Sequence, residues 1–474
     1  MLENFKRTKI VATVGPASSS EKKLNELIEA GVNTFRLNFS HGTHEEHGQI
    51  IDLIHNIRQK LKKPTAILQD LSGPKIRIGI IEDSPLKLEV GEVLVLNTKL
   101  KTSKKHEVPV TYQRFTEDVK TGTHLLLADG KVTLKIEKIV PPRVYCKVIV
   151  GGELSSKKGI NYPEGSFTMS ALTTKDLVDL LYGLKKGVDY IALSFVRHAD
   201  DINQVRRKFK AAGRRVPIIA KIEKHEAIRN LEQILPVVEG VMVARGDLGV
   251  EIPSEQVPYI QKKIIRLATQ YGKPVITATQ MLLSMVDSPR PTRAETTDIA
   301  NAIWDGTDAV MLSEETAVGK YPVEAVQMMS KIAIEAEKNY PHNEIRFKLD
   351  SDKKYPIPDS ISESAVHLAK ELDAKVIICP TTSGLTANLI SRFRPKAVIF
   401  ALTPHHEVFY QLSLMWNVIP FYFPLFRDPK KMIENALREA SRQNLLEKGD
   451  AYVVTAGFPF GEGVPTNLIK AGIY

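Results

Sequence analysis

The residues best suited to chemistry stand where short apolar runs give way to polar ones. Arg36, Asn38, Ser40 and His41 follow one such run, and Asp70 closes another. Further along come Lys221 and Glu223, then Arg245-Gly246-Asp247, then Thr277 to Gln280, then Ser313-Glu314-Glu315. Glu223 and Asp247 offer the hard oxygens that Mg²⁺ takes from a protein, with substrate and water completing the shell. Lys221 lies two residues before Glu223, so on a strand both side chains point the same way. A lysine among carboxylates at a strand end is either paired or binds an anion. Gly246-Asp247-Leu248-Gly249 reads as a glycine-rich turn whose N–H groups can cradle a phosphate or carboxylate. Arg36 and Arg77 carry forked donors for phosphate oxygens. Each feature alone has a plainer reading: a rim salt bridge, a paired lysine, an ordinary turn, a surface arginine. Together they fit phosphoryl transfer, which needs charge neutralisation and alignment more than covalent chemistry.

The elements that must hold these residues follow one rhythm. An apolar β-branched run is followed by an amphipathic helix, eight times over. The strands are expected at Lys9–Val14, Thr34–Phe39, Thr65–Asp70, Tyr190–Val196, Val216–Ile222, Gly240–Ala244, Pro274–Thr279 and Asp308–Leu312. Runs without alternation suit parallel strands covered on both faces. Eight such units predict a (β/α)8 TIM barrel, whose active site lies at the C-terminal strand ends. The helices include Glu21–Ala30, His44–Leu61, one near Glu226–Leu235 and the long one near Pro322–Tyr340. The helix after the third strand is delayed to Lys175–Lys186 by an insertion of different texture. Its short β-type runs, among them Val93–Leu96, Leu125–Leu127 and Val144–Val150, predict a small all-β domain able to act as a lid. A polar linker, Pro341–Pro358, leads into a C-terminal doubly wound α/β domain. Its strands are expected at Val376–Cys379, Ala397–Ala401, Val418–Phe421 and Ala451–Thr455. The divisions are 1–71 and 170–341 for the barrel, 72–169 for the lid and 342–474 for the last domain.

Composition sets the outer limits. The 474 residues are 43% hydrophobic and 25% charged, which is ordinary for a globular chain of roughly three domains at about 150 residues each. The formal net charge of +10 is spread among acids, so anionic small substrates fit it better than a nucleic-acid surface. Cys146 and Cys379 lie far apart, which predicts two buried reduced thiols rather than a zinc site or a redox pair. The N-terminal segment has no apolar export core, and no apolar stretch is long enough to cross a membrane. A cytoplasmic location follows.

The motifs resemble those of the pyruvate kinase family, from KIVATVGPAS at Lys9 and FRLNFSHGTHEEH at Phe35 to GPKIR at Gly73 and SKKGINYPEG at Ser156. IAKIEKHEAI from Ile219, VMVARGDLGVEIP from Val241, ITATQMLLSM from Ile276, PRPTRAE from Pro289 and LSEETAVGKYPVEAV from Leu312 continue the likeness. The resemblance implies conversion of phosphoenolpyruvate and ADP to pyruvate and ATP, the last step of glycolysis. It implies Mg²⁺ (or Mn²⁺) on Glu223 and Asp247, with a second ion arriving on ADP. Lys221 would neutralise the migrating phosphoryl group and the forming enolate, and Arg36 would touch the phosphoryl group. The Gly246 and Asp247 N–H groups would hold the substrate carboxylate beside Thr279. Thr279 would join a water chain protonating the enolate carbon, since a hydroxyl is too weak an acid to act alone. Arg36, Asn38, His41 and Arg77 would line the nucleotide site, with Lys157 reaching in from the lid.

Two departures from the family pattern matter. Many members carry Asp-Thr-Lys-Gly-Pro-Glu where this chain has Asp70-Leu71-Ser72-Gly73-Pro74-Lys75, and those members need K⁺. Lys75 resembles the K⁺-independent type, because a fixed ammonium can supply the missing charge. Asn38, Ser40, Asp70 and the Leu71 carbonyl remain as the monovalent-ion region; the other reading leaves Lys75 on the surface and K⁺ still required. Ala128-Asp129-Gly130 stands where Asp-Asp-Gly is common in the lid. In the last domain Thr381, Thr382, Ser383, Gly384 and Thr386 resemble the family's effector-phosphate loop. Activated members often carry Lys or Arg at Leu385, so the effector implied is AMP or a sugar phosphate. An ordinary helix start is the other reading of that loop. The resemblance further implies a homotetramer and no additional C-terminal domain.

Two other functions compete with this one. A Mg²⁺-dependent barrel lyase acting on pyruvate or phosphoenolpyruvate would need neither Arg77, Lys157 nor the lid. A non-catalytic effector-binding paralogue would be expected to have lost Lys221, Glu223, Asp247 or Thr279, and all four are present.

Overall fold

Eight parallel strands close into a barrel in the computed structural model, which describes residues 5–340, 356–424, 426, 428–459 and 464–474. They are Lys9–Thr13, Thr34–Asn38, Ala66–Asp70, Tyr190–Leu193, Ile218–Ile222, Gly240–Ala244, Val275–Ala278 and Ala309–Leu312. Alternation along each strand sorts the side chains. Ile10, Ala12, Phe35, Leu37, Ile218 and Ala220 face the surrounding helices in one large apolar cluster. Val11, Leu68, Ala192, Ile219, Met242, Ile276 and Met311 fill the barrel itself. Continuing that inward set by two residues reaches Asp70, Ser194 and Lys221 at the C-terminal mouth. The same period of two that builds the core therefore carries these polar side chains into the mouth.

The helices start and stop where their end residues satisfy free backbone groups. Thr43 with Glu46, Thr173 with Asp176 and Thr292 with Glu295 form reciprocal capping boxes. Thr173 explains why the delayed helix spans Thr174–Lys186, one residue earlier than its apolar pattern indicates. Gly31 closes the first helix in the left-handed region at φ +119°. The helix expected near Glu226–Leu235 is broken into His225–Arg229 and Leu231–Ile234 at Asn230, whose backbone leaves the helical region.

The insertion forms a six-stranded sheet and a two-stranded one around their own apolar cluster. It is not purely β, because Phe115–Asp118 makes one helical turn that buries Phe115. The C-terminal domain has a five-stranded sheet with apolar clusters on both faces. Its order is Val418–Tyr422, Val398–Thr403, Val376–Pro380, Ala451–Ala456 and Leu468–Ile473, the last strand antiparallel. That last edge strand escaped the sequence reading because Lys470 and Gly472 interrupt its apolar pattern. Most of the expected linker lies outside the described residues, and its end, from Pro356, already belongs to the helix Pro356–Glu371. Leu414 of this domain enters the barrel's interior cluster and is fully buried there. Cys146 and Cys379 are buried free thiols. No helix among the described residues is long and apolar enough to cross a membrane.

Candidate active site

The third, fourth and fifth strands set the centre of the site. Leu193 pairs with Ala220, which brings the next residues, Ser194 and Lys221, side by side. The Lys221 ammonium donates to Ser194 Oγ at 2.8 Å and lies 2.8 Å from Glu223 Oε1 and 3.3 Å from Asp70 Oδ1. Ser194 is in turn held by donating to the Leu71 carbonyl at 2.7 Å. Arg36 donates through Nε to Asp70 Oδ2 at 2.7 Å and through Nη1 to Thr13 Oγ1 at 3.0 Å. The second strand pairs Asn38 with Asp70, so Arg36 reaches Asp70 from the neighbouring strand.

The charges in this cluster bias one another. Burial would lower the Lys221 ammonium, but Asp70 and Glu223 outweigh it and drive its pKa well up. Burial would raise the Asp70 carboxyl, but Lys221 and then Arg36 hold it below the usual carboxylate range. Burial wins at Glu223, whose carboxyl is raised despite Lys221, with Asp247 adding to the rise. Glu223 Oε2 accepts the Phe195 N–H at 2.8 Å. Its Oε1 is buried against the Lys221 ammonium at 2.8 Å, and the oxygen's second lone pair can serve a further cation. Asp247, near enough to raise Glu223 but itself partly exposed, is the second carboxylate of a pair that fits a divalent metal ion.

Gly246 and Asp247 stand at the start of a short helix, Arg245–Glu251, rather than in the glycine-rich turn read from the sequence. The Gly246 N–H donates to Thr279 Oγ1 at 2.9 Å, and the Thr279 hydroxyl lies 2.6 Å from the Ala278 carbonyl. Thr279 and Gln280 hold left-handed backbone at φ +67° and +56°. Non-glycine residues in that region mark a segment over-determined by its surroundings. Arg245 supplies that constraint. It pairs with Asp298 at 2.6 Å and donates to the Thr279 carbonyl at 2.6 Å.

Lys75 is not a free surface lysine. Its ammonium lies 3.6 Å from Asp247 Oδ1 and 3.8 Å from Asp129 Oδ1, between the barrel helix and the lid turn Ala128-Asp129-Gly130. Asn38 Oδ1 accepts the Ser40 N–H at 3.1 Å, and Ser40 Oγ donates to Ser72 at 3.2 Å. The Leu71 carbonyl and both Asp70 oxygens are already engaged. Arg77 and Lys157 come together on the lid side, where Arg77 Nη1 donates to the Lys157 carbonyl at 2.9 Å. The His41 side chain is exposed, and its carbonyl contacts the His47 ring at 2.8 Å. Among the described residues no hydrogen bond or ion pair joins His41, Arg77 or Lys157 to the Lys221 group.

In the C-terminal loop, Thr381 Oγ1 accepts the Gly384 N–H and the Thr386 hydroxyl pairs with Thr466, so both are internally satisfied. Thr382 is half-buried and Ser383 exposed.

Sequence reasoning named Arg245 at its strand end but passed over Thr13, Ser194 and Asp298, the partner of Arg245. Thr13 ends the first strand and Ser194 directly follows the fourth, so reading every strand end alike finds them. Asp298 gives no such signal, because its partner lies 53 residues away. Glu315, a strand-end carboxylate by sequence, accepts the Leu282 and Ser313 N–H groups and ties loops together.

Comparison with known proteins agrees with this geometry. A family model described as pyruvate kinase, barrel domain, matches residues 5–326, and one described as pyruvate kinase, alpha/beta domain, matches residues 359–471. Pyruvate kinase 2 of Synechocystis is 47% identical over 472 residues, covering 99% of this chain and 79% of that protein. Pyruvate kinase of Thermotoga maritima is 43% identical over 466 residues, covering 98% and 99%. The crystal structure of a pyruvate kinase from Cryptosporidium parvum superposes with a TM-score of 0.94 at 35% identity, covering 100% of this chain and 97% of that one. On its domains, its fold and its full-length identity to these enzymes, the chain belongs to the pyruvate kinase family of phosphotransferases.

Proposed function

We propose that Lys221, Arg36 and Thr279 carry the transfer of the phosphoryl group from phosphoenolpyruvate to ADP. The observation behind this reading is the buried Lys221 ammonium, held by Asp70, Glu223 and Ser194 at the barrel mouth. A charge fixed in advance needs no reorganisation when negative charge develops on the migrating group and the enolate. Arg36, steadied by Asp70 and Thr13, aligns the phosphoryl oxygens. Glu223 and Asp247 hold Mg²⁺ or Mn²⁺, which when bound supplies Lewis-acid charge at the substrate oxygens. The substrate carboxylate takes the Gly246 and Asp247 N–H groups. In doing so it displaces Thr279 Oγ1 from Gly246 and frees that hydroxyl for the water chain that protonates the enolate carbon. Arg77, His41, Asn38 and the lid's Lys157 bind the nucleotide. Among the described residues no hydrogen bond or ion pair joins the lid pair to the Lys221 group, so ADP, held by the lid pair, bridges the two.

Three finer readings accompany this one. Activity does not require K⁺, because Lys75 already brings a positive charge between Asp247 and Asp129. A phosphorylated metabolite, AMP or a sugar phosphate, activates the enzyme through Thr381, Thr382, Ser383, Gly384 and Thr386. The chain works in the cytoplasm as a homotetramer, a reading carried by the family alone.

The test is pyruvate formation from phosphoenolpyruvate, ADP and Mg²⁺ in K⁺-free buffer, repeated with K⁺ and with AMP and sugar phosphates. Full activity without K⁺ and stimulation by one phosphorylated compound are expected. Activity only with K⁺ discards the Lys75 reading alone. No pyruvate under any condition leaves a non-catalytic paralogue.

A further inference from the structure

The short helix Arg245–Glu251, which carries Gly246 and Asp247 in its first turn, is fastened at both ends. The front is tied to the seventh strand through Arg245 and Thr279. The back is tied through Glu251, whose side chain is 1% exposed. Glu251 Oε1 accepts from Lys224 at 2.7 Å and from Asn161 Nδ2 at 2.8 Å. Its Oε2 lies 3.4 Å from His225 Nδ1. These three partners come from two places. Lys224 and His225 follow Glu223 after the fifth strand, at the start of the helix His225–Arg229. Asn161 lies in the lid strand Ile160–Asn161, where the chain returns toward the barrel. The neighbouring Ile160 N–H donates to the Ile76 carbonyl, so both lid connections meet beside this contact.

His225, Glu226 and Glu251 are grouped as metal ligands often are, but the Lys224 ammonium already supplies the cation on Glu251. Burial would raise the Glu251 carboxyl, yet His225, Lys224 and Asn161 outweigh it and keep it low. An ionised, buried carboxylate held by partners from two separate parts of the chain is a rigid joint. Asp247 and Glu251 are four residues apart, on one face of a helix too short to bend between them. A shift of the lid at Asn161 is thereby passed to Asp247.

We propose that Glu251 is a positioning residue, a latch through which Asn161 couples the angle of the lid to the placement of Asp247. The proposal rests on the reading of Asp247 and the lid as parts of the site. Losing the latch lets the lid leave the angle seen here, and the apparent affinity for the lid-side substrate falls with the fraction of molecules that keep it.

The test uses Asn161→Ala, Glu251→Gln and the double variant in the full chain. Amide hydrogen exchange across residues 73–79 and 157–162, measured without substrate, is expected to quicken about tenfold or more while Tm moves by only about 3 °C. KM for ADP is expected to rise about tenfold, and KM for phosphoenolpyruvate, which meets Asp247 but not the lid, by a smaller factor of about threefold. The double variant should resemble the single ones rather than multiply them. Unchanged exchange, or both KM values rising only as Tm falls, overturns the latch. If Glu251→Gln does not fold, Asn161→Ala alone decides. Wild-type protein that makes no pyruvate would remove the catalytic reading, while accelerated exchange would still leave the latch standing.

Discussion

Replacing Lys221 with methionine isolates the charge while keeping most of the stem's volume. The ammonium lies 2.8 Å from Glu223 and 3.3 Å from Asp70, with both partners buried. Removing a preorganised charge from a buried site costs about 3–4 kcal/mol of barrier, or roughly a hundredfold to a thousandfold in kcat. Stability falls too, because two buried carboxylates lose their shared cation. Arg36 still pairs with Asp70, so the loss falls mainly on Glu223. That carboxyl is already raised by burial, and without Lys221 it rises further. A group whose folded pKa lies above its unfolded value gives stability at low pH and loses it as pH climbs through the folded value. The variant should therefore approach wild-type Tm near pH 4 to 5, around the unfolded carboxylate pKa of about 4.3, and fall progressively behind toward neutrality. The assays are steady-state pyruvate formation and thermal melts from pH 4 to 8. Turnover within about tenfold of wild type, or a Tm deficit that does not grow with pH, refutes the account of Lys221.

Three further outcomes follow from the same geometry. Lys75→Glu removes the ammonium between Asp247 and Asp129 and should make pyruvate formation depend on K⁺; equal rates with and without K⁺ would exclude that role. Ser194→Ala should lower kcat about tenfold with little change in KM, because it unfastens Lys221 without touching substrate. A rise in KM at constant kcat would show that Ser194 acts by binding instead. Leu414→Ala empties a fully buried position in the barrel interior and should cost about 2–5 kcal/mol of unfolding free energy, read in urea melts. A cost below about 1 kcal/mol would mean that the C-terminal domain does not plug the barrel.

The barrel and most of the site's residue types were legible from the chain alone. Apolar runs of strand length, amphipathic helices and capping residues act over neighbouring positions, so their signals are local. Glu21–Ala30, His44–Leu61 and Gly240–Ala244 needed no correction for that reason. Two-residue alternation also placed Lys221 and Glu223 on one side, before any pairing was known. The break at Asn230, the helical turn at Phe115–Asp118 and the edge strand Leu468–Ile473 had weaker local patterns. Spacing could not reveal the partners. Ser194 beside Lys221, Asp298 under Arg245 and Asn161 on Glu251 each join residues far apart in the chain. Nor could it show that Lys75 lies between two carboxylates, or that Leu414 enters the barrel. The sequence determined which elements form and which chemical groups they carry, because those choices depend on near neighbours. The tertiary structure alone decided which charges meet, because that depends on strand register and on how three separately cored domains pack together.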